Sequence, residues 1–206
     1  MKILAFSHLT FCLPESAKSF GKDIFGNGTE IVVQNHENKK IFMEAEQPTH
    51  YLYWNEIGIE ITSYLNTRFK SPNSLKLAHD FLTNYAKVPY QINMCYSPEL
   101  IFFLSKYGKL ERIDNNEFLL KGVGLFKDFK ILNDCTGPFS KPNQHLDEAG
   151  LSAIAVYVDS VAESIQFGND PGEIKSEPYE VCLGNKKFKV QFVQIGGINI
   201  ELLSRS

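Results

Sequence analysis

The chain has little of several things that would narrow its function at once. Its 206 residues hold one tryptophan, three methionines and four cysteines. Cys12, Cys95, Cys135 and Cys182 stand far apart with no C-x-x-C pair, so their spacing supports no zinc site. Scattered cysteines in a chain of this size predict reduced, mostly buried thiols and a cytoplasmic protein. No apolar run approaches the roughly 20 residues needed to span a bilayer, which argues against a membrane protein. Charge of one sign is not concentrated anywhere: 21 basic and 24 acidic residues are interspersed for a net charge of -3. The short lysine pairs at 39–40 and 186–187 give no case for nucleic acid. Glycines lie near basic residues in "GKDIFGNG" and "KGVGLFKD", but neither matches a phosphate loop, so no nucleotide cofactor is indicated. G-x-S-x-G and H-E-x-x-H are also missing. The opening "MKILAFSHLTFCLPES" is interrupted by Ser7, His8 and Thr10 and lacks a small-residue cleavage site, so it predicts a first strand rather than a leader.

A hydrophobic content of 43% is enough to bury a substantial core. Residues 1–65 read as strand, helix and three strands. "ILAFSHLTFCL" is the first strand, ended by Pro14, and "ESAKSFGKDIF" carries Ala17, Phe20 and Ile24 at helical spacing before Gly26. "TEIVVQN" and "KKIFMEAEQ" flank the turn "HENK", and "HYLYWNEIGIEITSYL" is strand material broken near Gly58. Residues 151–206 repeat the order: strand "LSAIAVYV", helix "DSVAESIQF", loop "GNDPG", a hairpin about the Gly-Asn turn at 184–185, and the closing strand "INIELLS". The central segment, 66–150, predicts a helix in "SPNSLKLAHDFLTNYAK" and another in "SPELIFFLSKYG". In the second, Ser97 is the cap, Pro98 the first helical residue and Gly108 the exit. It reads either as an insertion or as a shortened third unit. "NDCTGPFSKPNQHLDEAG" is loop-like and marks the internal boundary.

Superposing the outer units on their strand-to-helix junctions places His8 opposite Ala153, with Glu60 and Glu201 at nearly the same interval downstream. Each glutamate stands in an apolar run, "GIEITSYLN" and "GGINIELLSRS". Strand alternation puts Glu60 on the face opposite Ile59 and Ile61. That face could meet solvent, or it could line a cleft, where an ionised carboxylate needs a cation or hydrogen bonds. His8 has the same two readings, as a hydrogen-bonded core residue or as a ligand.

These residues resemble the vicinal oxygen chelate superfamily, which includes glyoxalase I, bleomycin-resistance proteins and extradiol dioxygenases. "SHLTFCLPESAKSFGKDIFG" is similar to its opening strand and helix, and the two glutamate strands to its fourth strands. The resemblance implies an α+β fold of two βαβββ modules forming curved mixed sheets around a cleft, here with a central helix-containing segment. It also implies metal ligands at His8, Glu60 and Glu201, with the glutamates as catalytic candidates. The fourth expected ligand position falls on Ala153, which cannot coordinate. Extradiol sites use two histidines and one carboxylate, so that activity fits less well. One imidazole and two carboxylates suit Mn, Fe, Ni, Co or Zn, completed by water or by a histidine outside the repeat such as His50 or His145. Phe11, Tyr51, Tyr53 and Trp54 are candidate walls for a small-molecule ligand. Two function classes follow: a divalent-metal enzyme of lyase, isomerase or dioxygenase type acting on a small oxygenated substrate, and a metal-free binding protein of the bleomycin-resistance type. Open sheet edges make a homodimer a reasonable expectation.

Overall fold

The computed structural model describes residues 1–17, 19–31, 41–42, 50–64, 67, 74–137, 139–161, 172–183 and 185–206. The hairpin expected about "HENK" and the helix expected in "DSVAESIQF" lie largely outside these residues.

The fold is α+β, with few helices and mixed sheets that do not close into a barrel. Strand β1 (Ile3–Pro14) leads through a short 3-10 turn (Glu15–Ala17) and α1 (Ser19–Phe25) to β2 (Thr29–Ile31), β3 (His50–Trp54) and β4 (Ile59–Tyr64). The central segment supplies α2 (Ser74–Lys87), β5 (Gln91–Met94), α3 (Pro98–Tyr107), β6 (Leu110–Arg112), β7 (Glu117–Leu120) and β8 (Phe129–Asn133). Then come β9 (Gly150–Val158), β10 (Glu173–Ile174), β11 (Tyr179–Leu183), β12 (Lys186–Ile195) and β13 (Ile198–Arg205).

Nine strands form one sheet in the order β10-β12-β13-β9-β1-β4-β3-β2, with β11 also on β12. β10 and β11 follow one another along β12 as an interrupted edge strand. At the break, the Phe192 amide donates to Ser176 Oγ at 2.8 Å. The sheet has a near two-fold arrangement about its two central strands. β1 and β9 run antiparallel, and each is flanked by a parallel partner, β4 and β13. Thr10 pairs with Glu60 and Ala155 with Glu201, while His8 pairs with Ala155 and Thr10 with Ala153. A rotation exchanging the two halves therefore carries His8 onto Ala153 and Glu60 onto Glu201, the same correspondence that the sequence overlay implies.

β1 and β9 are buried almost throughout, on both faces. This explains why the alternation in "ILAFSHLTFCL" is imperfect: a strand covered on both sides has no solvent face to mark. The convex face packs against α2, α3 and a second, four-stranded sheet in the order β5-β8-β7-β6. Phe6 stacks on Phe129 at 3.6 Å, and Leu9 and Phe11 share one core with Leu82, Ile92 and Leu104. The central helices begin as expected. Leu100 N–H donates to Ser97 Oγ at 3.2 Å, and Pro98 needs no amide partner in the first turn.

The segment read as an internal boundary is tied down. Cys95 N–H donates to Ser140 O at 2.6 Å, and Leu146 N–H donates to Ile41 O at 2.9 Å. Cys95 and Cys135 form a disulfide across 40 residues of sequence. This corrects the expectation of four reduced thiols. The two cysteines are distant in sequence, and only the folding of the 134–140 loop onto β5 brings them together. A disulfide is the arrangement of an oxidising compartment, so the cysteines give no support to a cytoplasmic protein. Among the described residues no helix is long and apolar enough to cross a membrane.

Two predictions follow from the packing. Cys12 is buried, and its burial pushes the thiol up to about 12, whereas Cys182 is exposed. A thiol reagent at pH 8 should label one cysteine quickly in the native, unreduced protein, two after denaturation alone, and four after denaturation with reduction. Gly28 lies under the Trp54 indole, where an added Cβ would come within 2.4 Å of the ring. Gly28→Ala should cost about 1–3 kcal/mol, read as a lower Tm and denaturation midpoint.

Candidate metal centre

His8, Glu60 and Glu201 reach one place because β1, β4 and β13, within a run of four consecutive strands, present them to the concave side of the sheet. Glu60 stands beside Thr10 in the β1–β4 pairing, and Glu201 beside Ala155 in β9–β13. His8 projects from β1 between them. Ile59, Ile61, Ile200 and Leu202 take the opposite face, where they join the convex core. The alternation read from the sequence is therefore correct, and the second face is an enclosed interior. Glu60 is 8% and Glu201 6% exposed.

His8 Nε2 lies 3.4 Å from Glu60 Oε2 and 3.4 Å from Glu201 Oε2. One potential ligand atom from each of the three residues falls within 4.8 Å of the others. Nε2 is buried without a hydrogen-bond partner among the described residues, as is Glu201 Oε2. His8 Nδ1 is 2.9 Å from Ser7 Oγ. In the tautomer whose Nδ1–H donates to this hydroxyl, Nε2 presents a lone pair to the carboxylates, the usual orientation of a metal-binding imidazole. Tyr53 packs edge-on to the His8 ring with centroids 4.9 Å apart, which fixes the ring plane.

The electrostatics call for a cation. Burial alone would push the imidazole below its ordinary value, but Glu201 and Glu60 outweigh it and hold it up at about 10. Burial likewise raises Glu60, with His8 opposing and the Glu201 charge adding. Two buried carboxylates share one imidazole in a water-poor interior. The donor set of one nitrogen and two oxygens fits a divalent transition metal and leaves positions open to water or substrate.

The three residues line a small cavity of ≈30 Å³, together with Thr10, Tyr51, Thr62 and Tyr64 on the sheet side. Ile31, Leu146, Val181 and Leu183 cover it from β2, the 143–149 loop and β11. Of the four proposed walls, Tyr51 lines this cavity and Tyr53 touches His8. Phe11 and Trp54 are corrected: both lie on the convex side. Phe11 stacks on Phe81 at 5.0 Å, and Trp54 packs on Phe25 at 5.5 Å. Trp54 directly follows Tyr53 in the strand, so the two cannot share a face. His50 and His145 do not join the cluster. His50 Nδ1 is 2.9 Å from Glu30 Oε1, and His145 is half-buried in its loop. Thr10, Thr62, Tyr64, Ser7 and the β11 residues were missed. A period-2 step from His8 leads to Thr10, and from Glu60 to Thr62 and Tyr64, so the signal for these was present.

No protein-family profile matches the sequence, and no curated protein matches it significantly. Two solved structures are similar to it at a distance. One is a triple mutant of 4-hydroxymandelate synthase from Streptomyces coelicolor, 12% identical with a TM-score of 0.33 over 100% of this chain and 64% of that one. The other is a candidate dioxygenase from Bacillus subtilis, 12% identical with a TM-score of 0.36 over 99% of this chain and 63% of that one. The chain thus spans just under two thirds of the length of either. Neither likeness is close enough to carry an argument, and the functional reading rests on the strand topology and the site.

The cover over the cavity depends on Asn199. This fully buried residue directs its amide nitrogen at the carbonyls of Asn143, Gln144 and Ser152, at 3.3, 3.2 and 3.1 Å. It thereby ties the loop bearing Leu146 to β9 and β13. Asn199→Ala removes these three hydrogen bonds and should cost about 1–3 kcal/mol in urea unfolding, with faster amide exchange in residues 143–149.

Proposed function

We propose that the protein is a divalent-metal enzyme of glyoxalase- or dioxygenase-like type, acting on a small oxygenated substrate at His8, Glu60 and Glu201. The observation that carries this reading is the convergence of His8 Nε2 and two buried carboxylate oxygens, each 3.4 Å from the nitrogen, at one point. The sequence resemblance to the vicinal oxygen chelate superfamily supports the same assignment. His8 Nε2 and one oxygen each from Glu60 and Glu201 would hold the ion. When bound, such a metal supplies Lewis-acid stabilisation of negative charge developing on a substrate oxygen.

The chain's own residues have distinct parts. Ser7 fixes the imidazole from behind, and Tyr53 holds its plane. Glu60, whose proton affinity burial raises, is the candidate to take and return a proton at the reacting centre. The aliphatic cover of Ile31, Leu146, Val181 and Leu183 excludes water during this transfer. A second reading, a metal-free binder of small molecules, draws on Ala153, which leaves the symmetry-related fourth ligand position without a donor.

Elemental analysis of protein purified without a metal-binding tag separates the two. The enzyme reading expects near-stoichiometric Mn, Fe, Co, Ni or Zn, falling at least tenfold in Glu201→Gln, and a rise in Tm on adding the ion to wild type alone. Absence of metal from both proteins, with no Tm shift on adding divalent ions, would favour the metal-free binder.

A further inference from the structure

We propose that Thr10, Thr62 and Tyr64 form a hydroxyl wall that selects a compact, uncharged hydroxycarbonyl ligand; this deepens the metal-centre reading and rests on it. Thr10 Oγ1, Thr62 Oγ1 and Tyr64 Oη are buried and line the same cavity as the three ligands; Thr62 lies within reach of Tyr64 and Cys12, and Tyr64 within reach of Tyr51, but none of the three closes a well-formed hydrogen bond among the described residues. Three buried hydroxyls that face one cavity with weak protein partners or none point to an occupant with oxygens of its own.

Their placement gives that occupant a direction. Thr10 stands beside Glu60 in register, Thr62 is two residues further along β4, and Tyr64 four. Alternate residues of a strand are about 7 Å apart, so the wall begins where a molecule of a few heavy atoms bound at the triad would end. Charge narrows the class. Among the described residues the cavity walls hold no lysine or arginine. Burial keeps the phenols of Tyr51 and Tyr64 un-ionised, well above their ordinary range. Glu60 and Glu201 already balance a divalent ion, so a carboxylate or phosphate at the far end of the ligand would be buried without a counter-charge. Hydroxyl donors and acceptors suit a neutral hydroxyl or carbonyl instead. Size narrows it again: ≈30 Å³ is room for about one water, so even a three-carbon molecule must displace the cover contributed by edge strand β11.

A series HOCH2–CO–X keeps the hydroxyketone pair constant and varies only the far group: methyl in hydroxyacetone, hydroxymethyl in dihydroxyacetone, carboxylate in hydroxypyruvate. Binding is read on the Mn-loaded protein by broadening of ligand proton resonances, with metal content measured on the same samples. Dihydroxyacetone should bind about tenfold more tightly than hydroxyacetone, and hydroxypyruvate more weakly than both. Thr62→Val and Thr10→Val, near-isosteric and checked by Tm, should retain the metal and lose the preference for dihydroxyacetone. If one variant does not fold, the other decides. Tightest binding of hydroxypyruvate, a preference that survives the valine variants, or no binding of any member (a cavity that holds only water) would overturn the proposal while leaving the metal centre intact. Failure of wild type to take up Mn would instead count against the metal reading. The same series, followed on metal-free protein by saturation transfer, would then confirm or overturn the hydroxyl wall by the same preference and its loss.

Discussion

Two carboxylates and an imidazole held together in an enclosed sheet interior are the constraint around which the rest of this molecule is arranged. Ionised groups lose several kcal/mol of hydration when they leave water, and this is recovered only if their charges are compensated at close range. Here the compensation is built across four consecutive strands of the sheet, so β13, β9, β1 and β4 must keep a fixed register. A slip of one residue between any two would send a glutamate into the convex core. The thick apolar layer behind the sheet is what resists such slips, because Ile59, Ile61, Ile200 and Leu202 all anchor there.

That layer also gives the central segment its role. Helices α2 and α3 and the small four-stranded sheet cover the convex face, and their core is continuous with that of the large sheet. The Cys95–Cys135 disulfide and the Asn199 hydrogen bonds then hold the connecting loop, so that Leu146 can close the concave side. One side of the sheet is filled with aromatic and aliphatic side chains. The other retains a small polar cavity under an aliphatic cover. The same strands serve both, which is why β1 carries almost no exposed residue.

The near two-fold symmetry is reflected unevenly in the chemistry. Both halves supply a glutamate from the equivalent strand, but only β1 supplies a histidine, and its counterpart Ala153 packs among Cys12, Ala155 and Leu203. The cluster is consequently lopsided, with a glutamate from each half and an imidazole from only one. The hydroxyls of Thr10, Thr62 and Tyr64 extend from the cluster along β1 and β4.

Much of this was legible in the chain. The opening strand and helix, the Ser97–Pro98 helix start, the overlay of His8 on Ala153 and the matched glutamates all depend on local pattern and interval, which sequence carries directly. The cavity walls were partly legible, since stepping by two from His8 and Glu60 reaches Thr10, Thr62 and Tyr64, whereas choosing Phe11 and Trp54 for their aromatic character ignored strand alternation. Sequence by itself determined which side chains share a strand face, because that follows from the two-residue period of the backbone. Only the tertiary structure decided that both faces are buried, that Nε2 of His8 meets two carboxylates, and that Cys95 and Cys135 join. Each of these depends on strands and loops far apart in the chain coming together, and no local pattern encodes the curvature that brings them there.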